Sequence, residues 1–346
     1  MDLKQYINSK NIVLYIKQIP EKTNVGRALF PSKKQLGTTL EYAKGSKNRA
    51  VALKVTTFDS AAKVRSLKAD VNINKKELPF FKEAIGMNET TRRDLINALG
   101  SNNENIVEFI TGEVFDNYNN LVEGAEVQVD RMIAQAIQTS KINITTDEGD
   151  VVVDYGAPTN QVITLSSNKW NVAGTDILAD IEKWKKIMRK NNAPKPTRML
   201  MTETTFQNTI MANTAITGAL KGEKSYLILT KQDYKDFMKK YAELDVVFLE
   251  DDVYIPTEGA EAQAYYEDGR VTFMSGNTLG SFVYGTTPEE YDKIYGSTKL
   301  DVDVVRTAIA ITTMVKEDPV GVDTKVSMLG LPSFERVDEC LFAKVY

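Results

Sequence analysis

The 346-residue chain predicts an α+β fold of two domains, with the second inserted into the first. Three observations lead there. Residues 103–140 carry one long, proline-free helical period. Helix-like and strand-like segments alternate over 175–306, which predicts a layered α/β core. Strand-like alternation then resumes at 308–315 and 336–345, so the first domain is completed after the inserted one.

Residues 1–34 mix short apolar patches, Ile12-Val13-Leu14-Tyr15-Ile16 among them, with Pro20, Gly26 and Pro31. A short helix at 2–9 fits, but the stretch as a whole reads as an extended arm. Strand-like runs at 38–42 and 51–58 flank a turn-rich segment carrying Lys44, Lys47 and Arg49, which predicts a β-hairpin. Its apolar residues Leu40, Tyr42, Val51, Leu53 and Val55 are too few to bury a core. An isolated hairpin is marginal in water, so this one needs a partner surface.

A polar helix is expected at about 89–99, and then the spine helix, placed at 113–140. Val114, Phe115, Tyr118, Leu121, Val122, Ala125, Val129, Met132, Ile133, Ala136 and Ile137 recur along it at three- and four-residue spacing. Glu104, Glu108 and Glu113 lie toward the start of the 103–140 stretch and Arg131 and Lys141 near its end, as the helix dipole prefers. Strands are read at 142–146, 151–154 and 162–165. A helix at 176–190 has Thr175 as its N-cap. A strand at 198–202, helices at 203–212 and 231–241, a buried strand at 246–250 and strands and turns over 253–285 make the inserted domain. The tail strands belong with the spine helix and the strands of 142–172.

Charge is divided unevenly. The first 76 residues carry 16 Lys and Arg against five Asp and Glu, a net of +11. The other 270 carry 27 against 42, a net of −15. A basic arm on an acidic body reads as an interaction segment, here one that lies on another copy of the chain.

Composition narrows the chemistry. The chain has no histidine, which removes His-based nucleophile activation, imidazole acid/base work and His-ligated metals. Its one cysteine, Cys340, forbids intrachain disulfides, fits a reducing cytoplasm and reads as a small core residue. No apolar run approaches the roughly 18 residues of a membrane span, and residues 1–6 do not open a signal peptide. Neither a cofactor nor a membrane partner is expected.

The remaining motifs read as ordinary structure. Ser60-Ala61-Ala62-Lys63 has the spacing of a serine–lysine nucleophile but none of the accompanying motifs. Residues 218–225 contain Gly218, Gly222 and Lys224 without the glycine spacing of a phosphate loop. Glu250-Asp251-Asp252 and the acids Asp147, Glu148, Asp150 and Asp154 could offer oxygens to a divalent ion, but lack an EF-hand pattern. Trp170, Trp184 and 15 tyrosines do not interleave with the basic arm as in a nucleic-acid binder.

The order of arm, hairpin, spine helix, strands, inserted α/β domain and returning strand resembles a known family. It is carried by Thr175-Asp176-Ile177-Leu178-Ala179-Asp180-Ile181 and by Met199-Leu200-Met201-Thr202 before the Phe206 helix. It continues through Val246-Val247-Phe248-Leu249, Tyr254 and 265–274. Gly276-Asn277-Thr278-Leu279-Gly280, Tyr284-Gly285, Asp318-Pro319 and Leu331-Pro332 complete it. The chain is similar to the major capsid proteins of tailed bacteriophages, of the lambda-type major capsid protein E family, with the Hong Kong ninety-seven-like fold.

That resemblance implies a non-enzymatic subunit of an icosahedral head shell around double-stranded DNA. It divides the chain into an N-terminal arm (1–34), an extended loop (35–76), a peripheral domain (77–174 and 307–346) and an axial domain (175–306). The implied partners are copies of the chain as hexamers and pentamers, a separate scaffolding protein, a portal protein, a decoration protein and packaged DNA without sequence-specific contacts. Lys44, Lys47 and Arg49 become inter-subunit contacts of the extended loop. The implied location is the virion capsid, assembled in the bacterial host cytoplasm. Two rivals stay open: an encapsulin-type compartment shell on the same fold, and a carboxylate-metal enzyme built on residues 250–252. A tail-tube protein fits poorly with so long a helix.

Overall fold

The helix that the sequence prescribes most firmly begins earlier than expected, at Glu104, and runs 36 residues to Thr139. At 1.5 Å per residue it is about 54 Å long. It stops where Ser140 takes a left-handed backbone (φ 57°) and donates its N–H to the Ala136 carbonyl. This computed structural model describes residues 7–45, 71–87, 89–100, 104–146, 149–223, 226–296, 300–317 and 320–346. The second expected hairpin strand, at 51–58, lies outside them. Among the described residues, Thr39–Gly45 forms a two-stranded sheet with Val71–Glu77.

The chain forms two compact units. The first comprises Met1–Leu40, Lys75–Ala134 and Gly280–Ser333; the second comprises Glu41–Asn74, Gln135–Leu279 and Phe334–Tyr346.

The first unit is organised around one strand, Gly321–Ser333, of 13 residues. Its earlier part pairs antiparallel with Ile309–Lys316 on one side and Phe80–Met87 on the other, and its last four residues pair with Ser281–Tyr284. Asp301–Val305 and Ser32–Lys34 form the edges. Gly330 is required where the strand changes partner, because a Cβ there would sit 2.6 Å from the buried Phe282 ring. Val114, Phe115, Tyr118, Leu121, Val122 and Val129 supply the buried stripe of the long helix within this unit.

The N-terminal arm is helical and packed, which corrects the expectation of an extended segment. Asn8 caps Ser9–Ile16 by accepting the Asn11 N–H, and Asn24 caps Val25–Leu29 by accepting the Arg27 N–H. Ile12, Val13 and Ile16 recur at helical spacing, and all are at most 5% exposed. Pro20 and Pro31 fall outside the two helices, so they separate them without breaking either.

The second unit holds a five-stranded mixed sheet in the order Val162–Thr164, Leu341–Lys344, Arg270–Met274, Arg198–Thr202 and Asp245–Leu249. Helices Ile177–Lys190, Glu203–Phe206, Thr214–Lys221 and Lys231–Phe237 accompany it, the second and fourth each continuing as a π turn. Asp176, not Thr175, caps the first of these by accepting the Ala179 N–H, while the Thr175 hydroxyl donates to the Lys169 carbonyl. Its core centres on Trp170 and Trp184, stacked at 5.1 Å with 15° between planes, and on Phe273 edge-on to Trp184 at 5.5 Å.

The unit boundaries part from the expected domain boundaries at the tail. Leu341–Lys344 does pair with Val162–Thr164, but its other neighbour is Arg270–Met274, which makes it a strand of the α/β sheet. Residues 280–306 go with the first unit. Alternation of apolar side chains marks a strand but does not choose its hydrogen-bond partner.

The C-terminus is held at Gly269, which has φ 78° and whose carbonyl accepts the Val345 N–H at 2.7 Å. A Cβ there would lie 2.8 Å from the Tyr346 carbonyl oxygen. Gly269→Ala is therefore expected to destabilise the second unit by about 1–3 kcal/mol. Denaturant unfolding indistinguishable from wild type would contradict this.

Candidate assembly surfaces

Among the described residues no group of three or more His, Cys, Asp or Glu could hold a metal ion. Asp251 is pushed up by partial burial and by Asp268, Glu203 and Asp252, the pattern of a crowded acidic turn. Asp147, Glu148, Ser60 and Lys63 lie outside the described residues. Cys340 is fully buried, and burial pushes its thiol well above the usual range. Thr214–Lys221 ends at Gly222, with φ 52°.

The densest polar cluster anchors the arm. Arg27 donates from Nε to Asp130 Oδ1 at 2.7 Å and from Nη2 to Oδ2 at 3.0 Å, the two-pronged geometry that suits a guanidinium. Asn24 donates to the same Asp130 at 3.0 Å. Glu126, one turn earlier on the long helix, lies 3.8 Å from Arg27 and 3.1 Å from Arg306. Arg306, itself at φ 55°, donates to the Ile19 carbonyl at 3.1 Å and pairs with Glu21. Burial raises the Glu126 carboxyl above its ordinary range, although Arg27 and Arg306 pull it down. Burial likewise pushes the nearby Tyr284 phenol up to about 12.

A second anchor holds the start of the arm. Ser9 donates its N–H to Asp301 Oδ2 at 2.9 Å and its hydroxyl to Oδ1 at 2.7 Å. Burial opposes charge on Asp301, but hydrogen bonds from Thr313 and Ser9 outweigh it and hold the carboxyl below its usual range. Among the described residues, at least two cations of the basic first 76 are thus committed internally, Arg27 here and Lys34 on Glu290. The charge split is smaller as an outward-facing surface than the sequence implies.

The residues of this anchor were not singled out from the sequence. A signal was present: Glu126 and Asp130 lie four residues apart beside the apolar stripe, where two acids need cationic partners. Of the sequence-derived contact residues, Lys44 lies in the strand Thr39–Gly45, while Lys47 and Arg49 lie outside the described residues.

Exposed apolar side chains mark other surfaces. In the second unit Tyr226 and Ile228 are 80% and 89% exposed. In the first, the helix Pro288–Tyr295 exposes Tyr291, Ile294 and Tyr295. Clustered exposure of this kind belongs to proteins that meet partners. Among the described residues, no helix is long and apolar enough to cross a membrane.

The profile of the phage major capsid protein E family matches residues 9–345. The chain belongs to that family. Solved structures agree on the fold. A capsid protein of an Escherichia coli CFT073 prophage aligns over 98% of this chain and 99% of its own at 10% identity, with a TM-score of 0.61. The capsid protein of cyanophage A-1(L) aligns over 94% of both chains at 10% identity and a TM-score of 0.53. A phage-related protein from Bordetella bronchiseptica RB50 aligns over 98% and 97% at 10% identity and 0.52. No curated protein matches the chain.

As a phage major capsid protein E, the chain is a structural protein of the virion shell, built from copies of itself, in a family not known for catalysis. Its mixed helix and strand architecture is the Hong Kong ninety-seven-like capsid fold.

Proposed function

We propose that this major capsid protein closes an icosahedral head of hexamers and pentamers around double-stranded phage DNA, which it contacts without reading sequence. The family match over residues 9–345 is the observation that carries this reading. In it the second unit supplies the axial region and the first the peripheral region. The loop carrying Lys44, Lys47 and Arg49 lies across an acidic face of the next copy, where screening makes the contact salt-sensitive. Scaffolding, portal and decoration functions fall to separate chains, and assembly takes place in the host cytoplasm.

The test is the mass and shape of the purified protein at low and high salt, by light scattering and negative-stain electron microscopy. Closed shells or capsomer rings are expected. A compact dimer carrying a stoichiometric metal ion would overturn the reading. Shells filled with a protein cargo would favour an encapsulin-type compartment. Reversing Lys44, Lys47 and Arg49 to glutamate is expected to cut shell yield about tenfold or more while the monomer stays folded. Unchanged yield would remove the loop's charge from the mechanism.

A further inference from the structure

A surface helix normally turns apolar residues inward and charge outward. Pro288–Tyr295 is wired the other way round. At about 100° per residue, Pro288, Tyr291, Ile294 and Tyr295 share one arc of roughly 120°, and Glu289, Glu290 and Lys293 share the opposite one. On the charged arc Glu289 and Glu290 are buried and paired, while Lys293, its side chain 45% exposed, is paired at the rim. Glu289 and Glu290 are 7% and 6% exposed; Glu289 pairs with Lys325 and accepts the Ser327 hydroxyl at 3.0 Å, and Glu290 pairs with Lys34. Lys293 donates to Asp303 and to the Val302 carbonyl. Outside, Tyr291, Ile294 and Tyr295 are 58%, 52% and 63% exposed, with the two tyrosine rings 4.8 Å apart.

The apolar face cannot be hidden by rolling the helix, because that would strip buried carboxylates of their cations. We infer that Tyr291, Ile294 and Tyr295 form an apolar contact with a second copy of this chain, made within the shell. This rests on the capsid reading above. Two observations choose that occupant. The helix's one cation, Lys293, is spent on Asp303, so the face offers nothing to a nucleic-acid backbone. The three side chains leave roughly 350 Å² open. Matched by an equal face, that is about 700 Å² in total, short of the ~1,000 Å² a lasting pair needs. A contact this small holds when it is repeated among many tethered copies, as in a closed shell.

The experiment uses the full chain. Tyr291→Ser with Tyr295→Ser is expected to reduce the assembled fraction about tenfold or more, read by light scattering, with thermal unfolding unchanged. In a separate variant, Ile294→Cys, the new thiol is expected to join chain to chain with a bis-maleimide in assembled particles, since Cys340 is fully buried. It should also react with a monofunctional maleimide more slowly in particles than after dissociation. Assembly of the serine variant at wild-type yield, equal reactivity in both states, or cross-linking solely to a different protein would each overturn the inference. Wild-type protein that forms no assembly even when co-expressed with a scaffolding chain would instead overturn the capsid reading beneath it.

Discussion

Replacing Trp184 by alanine is expected to destabilise the second unit by about 3–5 kcal/mol, the largest single-residue effect on stability anticipated here. Trp184 is 2% exposed and lies between the stacked Trp170 ring and the edge of Phe273. An aromatic of this size removes roughly 150–250 Å² from water, worth about 4–6 kcal/mol before the compactness of the unfolded chain is allowed for. The void would be lined on one side by Trp170, which is fixed by its indole N–H donating to Asp180 at 3.0 Å and cannot collapse freely. Trp184→Phe should recover much of the loss by refilling part of that volume. Denaturant unfolding followed by circular dichroism gives the numbers. A loss below about 1 kcal/mol for the alanine variant would mean that the stacked pair is peripheral to stability.

Arg27→Met is expected to cost about 2–3 kcal/mol and to release the arm. Removing one partner of a buried ion pair leaves the other charge desolvated and unpaired. The figure sits below the fully buried case because the Arg27 side chain is 22% exposed. Trypsin cleavage at Lys17 and Lys22 should accelerate, and Asp130→Leu in the same chain should restore part of the lost stability.

The effect should depend on pH, with a sign fixed by Glu126. Its carboxyl is raised by burial, so the folded chain holds that proton more tightly than the unfolded chain does. The group therefore favours folding below the ordinary glutamate range, and that contribution is lost as pH rises through the raised folded value. Without Arg27 the carboxyl rises further, so the variant should be penalised more at neutral pH than in mild acid. Asp301 works the other way: its lowered carboxyl stabilises above the ordinary aspartate range and loses that contribution only as pH falls through the folded value. A loss in Arg27→Met that is constant from mild acid to neutral would rule out the Glu126 linkage.

Much of this was legible in the chain. The apolar stripe from Val114 to Ile137 announces the long helix, because a 3.6-residue period is a local property. Arg198–Thr202 was readable to the residue, since a short apolar run between turn signals leaves little choice of boundary. The arm misled because Pro20, Gly26 and Pro31 look like breaks throughout, while the caps Asn8 and Asn24 that nucleate its helices carry no apolar signal. The anchor was harder. Arg27 and Arg306 are separated by hundreds of residues from each other and by about a hundred or more from Glu126, and spacing along the chain says nothing about such meetings.

The sequence by itself determined the class of fold, the order of its elements, the absence of imidazole and disulfide chemistry, and the family. The fold class and the excluded chemistries follow from composition or from periods read over a few turns, where the physics is local; the family follows from the resemblance carried by segments spread along the chain. Tertiary structure alone decided where the last strand goes, how the arm is held, and which way the Pro288–Tyr295 helix faces. The wheel of that helix is amphipathic in either orientation. Only Lys34 and Lys325, brought against it by the edge strand Ser32–Lys34 and by the long central strand, make the side carrying the two glutamates the inner one and leave the tyrosines outside.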